Sequence, residues 1–191
     1  MYSCGNPSDT TLSLQINPPC PYVREIPGGL QNGTTITYVP PPTPTPSGYP
    51  VIYNPSIPFN MLIPGGIYPQ KVIQISGFPK SYNPSRFTVN LKSACEVALH
   101  FDVRFSFGSC HNVVIRNSFI NGDWGEEEDS QGLFPFCPGV SFDMMILVEP
   151  YCFMVAVNNQ HYSAFNHRIM PISRVNTLEI TGDVQINMVK F

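Results

Sequence analysis

A short stretch near the middle of the chain carries side chains that bind through hydrogen bonds and charge. Between residues 97 and 105 apolar and polar positions alternate, and the polar positions include His100, Asp102 and Arg104. Successive side chains of a β-strand point to opposite faces, so these three groups would stand in a row on one face. Because an imidazole, a carboxylate and a guanidinium donate and accept hydrogen bonds, the row predicts a recognition surface.

The single tryptophan of the chain, Trp124, follows a polar turn at Asn121-Gly122-Asp123 and precedes a cluster of acids. A tryptophan in the core is the alternative, but the polar surroundings favour an exposed indole. An exposed indole offers a flat apolar platform with a polar tip, which suits the apolar face of a ligand. We therefore expect Trp124 to belong to the same recognition surface.

Charge and hydropathy narrow the class of partner. Charged residues make up only 12% of the chain, and the net charge of −3 offers no basic patch for nucleic acid. No apolar run approaches the roughly 18 residues of a membrane span, so no membrane insertion is expected. The first fifteen residues lack a basic segment followed by an apolar core, so we expect no signal peptide and synthesis in the cytosol.

The six cysteines occur without a C-x-x-C pair. In a cytosolic chain this spacing indicates free, mostly buried thiols, and it disfavours a zinc site. The sequence therefore predicts no metal and no cofactor.

The N-terminal third differs from the rest of the chain. Residues 22–38 suggest an extended segment, a glycine turn and a strand, and residues 39–48 form a proline-rich spacer typical of polyproline II. Ile26-Pro27-Gly28-Gly29 recurs as Ile63-Pro64-Gly65-Gly66. The repeat is either a chance recurrence of one turn or the opening of a related first domain, too short to bury a core. We expect 1–57 to be a stub plus linker, largely disordered, and 58–191 to be one folded domain.

Strand signals recur about every ten residues after Pro58, with no helical periodicity. They predict an all-β fold, an antiparallel β-sandwich of two sheets. A hairpin turn is expected at Asn158-Asn159, and a short helical turn within Ile169–Arg174. The predicted strands are Val72–Phe78, Arg86–Lys92, Val97–Phe105, Asn112–Ser118, Phe142–Val148, Phe153–Val157, Gln160–Phe165, Thr177–Thr181 and Val184–Phe191.

Three ordered motifs resemble those of the galectins. The family pattern H-x-N-P-R corresponds to residues 100–104, V-x-N to 115–117, and W-G-x-E-x-R to 124–129. The resemblance covers essentially all of 58–191 and is closest to the C-terminal domains of tandem-repeat galectins. It implies a jelly-roll sandwich of the concanavalin-like type that binds β-galactoside glycans or glycoproteins.

The resemblance also implies roles for single residues. His100 and Arg104 would bind the axial 4-hydroxyl of galactose, Asn117 and Glu127 the 6-hydroxyl, and Trp124 the apolar face of the ring. A sugar without the axial hydroxyl would leave those polar groups unpaired, which gives discrimination.

Two positions of the predicted site are acidic where the family is not. Asp102 replaces an asparagine and adds a charge that can pair with Arg104. Asp129 replaces an arginine that, in the family, braces the glutamate and contacts the second sugar. Five acids in seven residues would repel one another, and Arg116 is a candidate substitute brace for Glu127. We expect weakened or altered affinity.

Two classes of function stay open at this point. The first is a β-galactoside lectin, and the second is a galectin-like protein-interaction module that has lost glycan binding. A glycosidase needs two carboxyls facing each other, at about 5 Å or about 6.5–9.5 Å, and no such opposed pair is identifiable. We therefore expect no enzyme. The family resemblance implies a cytoplasmic or nuclear protein that can be exported by a non-classical route and can form a homodimer.

Overall fold

The computed structural model describes residues 50–129 and 133–191, so the predicted stub at 22–38 and the spacer at 39–48 lie outside the described residues. Within the described part the chain forms thirteen strands and one short 3-10 helix at Ile172–Arg174. The strands are β1 Ile52–Tyr53, β2 Phe59–Leu62, β3 Val72–Pro79, β4 Arg86–Ser93, β5 Glu96–Phe107, β6 Cys110–Ile120, β7 Asp123–Trp124, β8 Glu128–Asp129, β9 Phe142–Val148, β10 Cys152–Val157, β11 Gln160–Asn166, β12 Thr177–Gly182 and β13 Val184–Lys190.

The strands form two antiparallel sheets, as predicted. One sheet has the order β1-β13-β3-β9-β10-β11, and the other has the order β2-β12-β4-β5-β6-β7, with β8 also paired to β6. All nine predicted strands are present, and β1, β2, β7 and β8 are additional to them. Those four are two to four residues long, too short for alternation to be recognised.

Alternation builds the core between the sheets. Along β3 every second residue is buried, and Ile73 and Ile75 are fully enclosed. Phe87 of β4 stacks on Phe142 of β9 with ring centroids 5.6 Å apart, and Phe136 meets both rings edge-on. Each such side chain contributes about 1.5–3 kcal/mol by leaving water. The apolar side chains therefore turn inward, and the polar residues of β5 are left for the outer face.

Two smaller features follow the sequence predictions. Asn158 and Asn159 have φ values of 51° and 60°, the positive angles that a two-residue hairpin turn between β10 and β11 requires. The 3-10 helix lies inside the predicted helical turn. Among the described residues, no helix has the length and apolar character that crossing a membrane requires.

The sandwich extends upstream of Pro58. Ile52 and Tyr53 pair with Val189 and Met188 of β13, so β1 forms an edge of its sheet. The described chain therefore enters the fold a few residues before the boundary that composition suggests.

Candidate functional site

Strand pairing gathers the predicted site residues on one face of the second sheet. His100 lies opposite Asn117, and Ile115 lies opposite Asp102 on one side and Asp129 on the other. Cross-strand partners share a face, so β5, β6 and β8 present these side chains together. The seven predicted residues that occupy this region are His100, Asp102, Arg104, Asn117, Trp124, Glu127 and Asp129.

Trp124 is exposed at the edge of this face, as the polar turn predicts. Its side chain is 53% exposed, although it contacts two neighbours. The ring centroids of Trp124 and His100 are 4.7 Å apart, and those of Trp124 and Phe119 are 5.3 Å apart. One side of the indole is therefore held in place while the rest is open to a ligand.

His100 is oriented by a row of polar contacts that the sequence analysis missed. Its Nδ1 lies 2.7 Å from Asn90 Oδ1, and Asn90 Nδ2 donates to Glu179 Oε2 at 2.8 Å. An ionised carboxylate only accepts, so the amide nitrogen must face Glu179 and the amide oxygen must face the imidazole. His100 Nδ1 is then the donor in this contact, and Nε2 lies on the side of Asp102, 3.8 Å from its Oδ2.

Glu179 keeps its charge in this row. Burial alone would raise the pKa of its carboxyl, but hydrogen bonds from Lys92 and Asn90 outweigh burial and lower the pKa. Lys92 Nζ lies 2.8 Å from Glu179 Oε1. The ionised state of Glu179 therefore fixes the orientation of Asn90 at neutral pH.

Asp102 is fully buried between basic side chains. Arg104 Nε donates to its Oδ2 at 2.7 Å, Arg86 Nε lies 3.3 Å from its Oδ1, and His100 Nε2 lies 3.8 Å from Oδ2. Burial pushes the pKa of Asp102 upward, but His100, Arg104 and Arg86 together hold it below its usual range. The carboxylate is charged and its charge is compensated inside the protein.

Arg104 joins β5 to the acidic loop. Its Nη2 donates to Glu127 Oε1 at 3.2 Å and its Nη1 to Cys110 Sγ at 3.5 Å. Together with the bond to Asp102, these contacts use three of its five N–H groups. Burial would lower the pKa of Arg104, but Asp102, Cys110 and Glu127 raise it. Arg104 is therefore a fixed cation with donors to spare.

Asn117 is buried on β6 and its amide is largely engaged. Its Nδ2 donates to the Gly125 carbonyl at 2.9 Å, and its Oδ1 accepts from Ser118 N at 2.8 Å and from Arg168 Nη1 at 3.2 Å. The amide nitrogen keeps one further N–H for a ligand.

Arg116 does not brace Glu127, and the reason is strand geometry. Neighbouring residues of a strand point to opposite faces, so Arg116 turns away from the face that Asn117 lines. Its Nη2 lies 3.8 Å from Glu128 Oε2 and donates to the Asp129 carbonyl at 3.1 Å. Glu127 is instead paired with Arg104, the residue for which the resemblance implies a bond to the axial 4-hydroxyl.

Two further arginines support this region. Arg86 is the cross-strand partner of Arg104, and Arg168 donates to Glu128 Oε1 at 2.6 Å. The polar parity of the predicted strand 86–92 was a signal for Arg86. Arg168 reaches the loop from a distant part of the chain. His167-Arg168 is one of the stretches that resemble the family, but the spacing gives Arg168 no role. In the part of the chain that the structure describes, no group of three or more His, Cys, Asp or Glu side chains is arranged to hold a metal ion.

Comparison with known proteins agrees with this geometry. The model of the galactoside-binding lectin family matches residues 58–191. Rabbit (Oryctolagus cuniculus) galectin-3 is 38% identical over 130 residues, which are 68% of this chain and 52% of that protein. Human galectin-4 is 38% identical over 149 residues, which are 77% of this chain and 44% of that protein.

Solved structures give the same result. The crystal structure of the galectin LEC-6 from Caenorhabditis elegans superposes with a TM-score of 0.66 at 26% identity, covering 73% of this chain and 94% of that one. This chain spans about half the length of the curated relatives it matches. The match to part of galectin-4 fits one domain of a tandem-repeat member. Together, the sandwich, the ordered motifs and these matches show that the chain belongs to the galactoside-binding lectin family, the galectins.

Proposed function

We propose that residues 58–191 bind β-galactosides on the face of β4, β5 and β6, with lower affinity than an unaltered galectin site would have. The observation that carries the proposal is the exposed indole of Trp124 beside an oriented His100. The C–H face of galactose would pack on the indole through dispersion and desolvation. Membership of the family supports this class of ligand.

The axial 4-hydroxyl would be bound by complementary partners. His100 Nε2 accepts its proton, and Arg104 donates one of its remaining N–H groups to the oxygen. A charge-assisted bond from a guanidinium is stronger than a neutral one. Glucose, whose 4-hydroxyl is equatorial, would leave both groups unpaired, and this cost would discriminate against it.

The 6-hydroxyl would lie between Asn117 and Glu127. Asn117 offers its second amide N–H, and Glu127 offers a carboxylate that is 55% exposed and already oriented by Arg104. The two groups form a donor and an acceptor, which a hydroxyl can satisfy at the same time.

Two acids weaken this site in our proposal. Asp102 holds the Nε of Arg104, so that donor does not reach a ligand. Asp129 is exposed and cannot donate hydrogen bonds to a second sugar, as the arginine of the family would. We therefore expect galactose itself to be recognised and the second sugar to contribute little.

Titration with lactose tests the proposal directly. Lactose should bind with a measurable heat and change the fluorescence of Trp124, while cellobiose, which presents a glucose, should do neither. Absence of lactose binding at millimolar concentration, together with a flat glycan array, would reject the lectin function.

The second candidate is a protein-interaction module. It is supported by the internal pairing of Asp102, Arg104 and Glu127, which engages two of the donors of Arg104 without a sugar. Retention of a protein partner that lactose does not displace, by a chain that binds no lactose, would favour this candidate over the first. Either binding function needs no catalysis, and we propose no enzymatic activity.

The cellular context follows from the family. We propose that the protein is cytoplasmic, with access to the nucleus, and reaches extracellular glycoproteins by non-classical secretion. Cross-linking of glycans by one domain would require a homodimer, because avidity needs two linked sites. Sedimentation velocity with and without lactose measures that dimer.

A further inference from the structure

Arg168 lies far from the site in sequence but reaches its centre in space. It follows β11, a strand of the opposite sheet, and its guanidinium crosses to β6 and the loop before β8. Nη1 donates to Asn117 Oδ1 at 3.2 Å, to Ser118 Oγ at 3.4 Å and to the Glu126 carbonyl at 2.9 Å. Nη2 binds Glu128 at 2.6 Å.

The contacts of Arg168 fix its position. Its guanidinium lies 4.6 Å above the ring of Phe165, and its side chain is 24% exposed. A planar, permanently charged fork can hold several acceptors in a fixed geometry, which the compact ammonium group of a lysine does not provide. One side chain therefore fastens the loop at Glu126 and Glu128 and also contacts Asn117.

Gly125 shows how tightly the guanidinium fits. A Cβ atom added at Gly125 would lie 2.7 Å from Arg168 Nη1 and 3.2 Å from Asn117 Oδ1. Gly125 N also donates to the Ser118 carbonyl at 2.9 Å, so the backbone cannot easily retreat. The glycine after Trp124 therefore leaves the space that Arg168 occupies.

Trp124 and Glu127 lie on either side of these contacts. The acids at 126–129 would repel one another without a cation among them, and the loop that carries them forms few backbone pairs. We propose that Arg168 is a positioning residue that holds the loop of residues 124–128 in the arrangement that binds sugar, without contacting the sugar itself. The proposal rests on the proposed lectin function for its binding readout.

Three variants of the whole chain test the proposal. Arg168→Gln removes the charge and the fork, and Arg168→Lys keeps the charge but not the fork. Arg174→Gln is the matched control, since Arg174 forms a 3.1 Å ion pair with Glu96 away from the site. Because Trp124 is the only tryptophan, acrylamide quenching of its fluorescence reports on the loop alone.

The expected result separates positioning from general stability. Arg168→Gln should lower lactose affinity about tenfold and increase quenching of Trp124, Arg168→Lys should fall in between, and Arg174→Gln should match the wild type. Normal lactose affinity or unchanged quenching in folded Arg168→Gln would overturn the proposal. If that variant does not fold, Arg168→Lys is judged by the same two measurements.

Failure of the lectin function can be told apart from failure of this proposal. If the wild-type chain binds no lactose, the quenching comparison still decides whether Arg168 holds the loop. Increased quenching in Arg168→Gln with an unchanged control would support the proposal, and equal quenching in all variants would reject it.

Discussion

Arg104 Nε donates to Asp102 Oδ2 at 2.7 Å, although the two residues stand side by side on the face that is expected to meet a ligand. Arg86 approaches the other oxygen of the same carboxylate at 3.3 Å. The acid that replaces the asparagine of the family is therefore enclosed by two cations and does not face the ligand directly.

Asp102→Asn should increase lactose affinity about three- to tenfold, because Arg104 Nε is released toward the sugar. The same change should lower the free energy of unfolding by about 1–3 kcal/mol, since Arg86 and Arg104 lose a buried partner. Calorimetric titration and urea denaturation measure the two effects. Asp143→Asn, on the opposite sheet, is the control. A fall in the lactose affinity of Asp102→Asn would contradict the expectation.

Trp124→Ala should reduce lactose affinity at least about thirtyfold, as expected for an exposed aromatic on which the ligand packs. Stability should change by less than about 1 kcal/mol, because more than half of the side chain is already in water. Trp124→Phe should keep part of the affinity. Tyr151→Ala removes a similarly exposed ring elsewhere and should leave binding unchanged. Full binding by Trp124→Ala would place the sugar on another surface.

Asp129→Arg should strengthen the binding of lactose about fivefold while leaving that of galactose nearly unchanged. The new guanidinium would reach the second sugar and relieve repulsion among the acids. Asp123→Arg introduces the same charge change in the same loop and serves as the control. Equal gains for both sugars, or for both variants, would mean that only net charge had changed.

Glu179→Gln tests the orientation of His100. A neutral amide at residue 179 can donate as well as accept, so Asn90 is no longer held in one orientation and His100 Nδ1 loses its fixed acceptor. Lactose affinity should fall about three- to tenfold, although Glu179 does not touch the sugar. Lys92→Gln breaks the same ion pair but leaves the Asn90 contact, and it should bind nearly as the wild type does. A loss of equal size in both variants would attribute the effect to the ion pair.

Mild acid should destabilise the fold through two histidines. Burial lowers the pKa of His161 and of His167 below the ordinary value of 6.5. The unfolded chain then binds more protons than the folded one between the lowered values and 6.5, so the free energy of unfolding falls as pH drops through this window. Urea denaturation at about pH 7.5 and about pH 5.5 measures the slope. His161→Gln and His167→Gln should each reduce it, and an unchanged slope would contradict this account.

Local sequence patterns predicted the strand that carries His100 and the exposure of Trp124. Alternation along residues 97–105 identified β5 and the face that carries His100, and a polar turn correctly predicted the exposure of Trp124. Each inference needed only the geometry of one strand or one turn.

The contacts within the site depend on strand pairing between distant parts of the chain, which the sequence does not show. Asp102 was expected on an exposed polar face, but β4 lies beside β5 in a register that brings Arg86 opposite Arg104, and the two cations cover the acid. Arg116 neighbours Asn117 in sequence but lies on the opposite face of β6, where it contacts Glu128. Asn90 and Glu179 come from strands 89 residues apart, and only the folded sheet shows that they orient His100.

Arg168 follows β11 of one sheet and contacts Asn117 on the other sheet, so it couples sugar binding to the attachment of the two sheets. If sugar binding and the attachment of the chain after β11 to β6 both depend on Arg168, each changes the free energy of the other by the same amount. A sugar on β5 and β6 should therefore slow amide hydrogen exchange in β11, although the sugar does not touch that strand. Conversely, separation of the chain after β11 from β6 should release the sugar before the core of the sandwich opens.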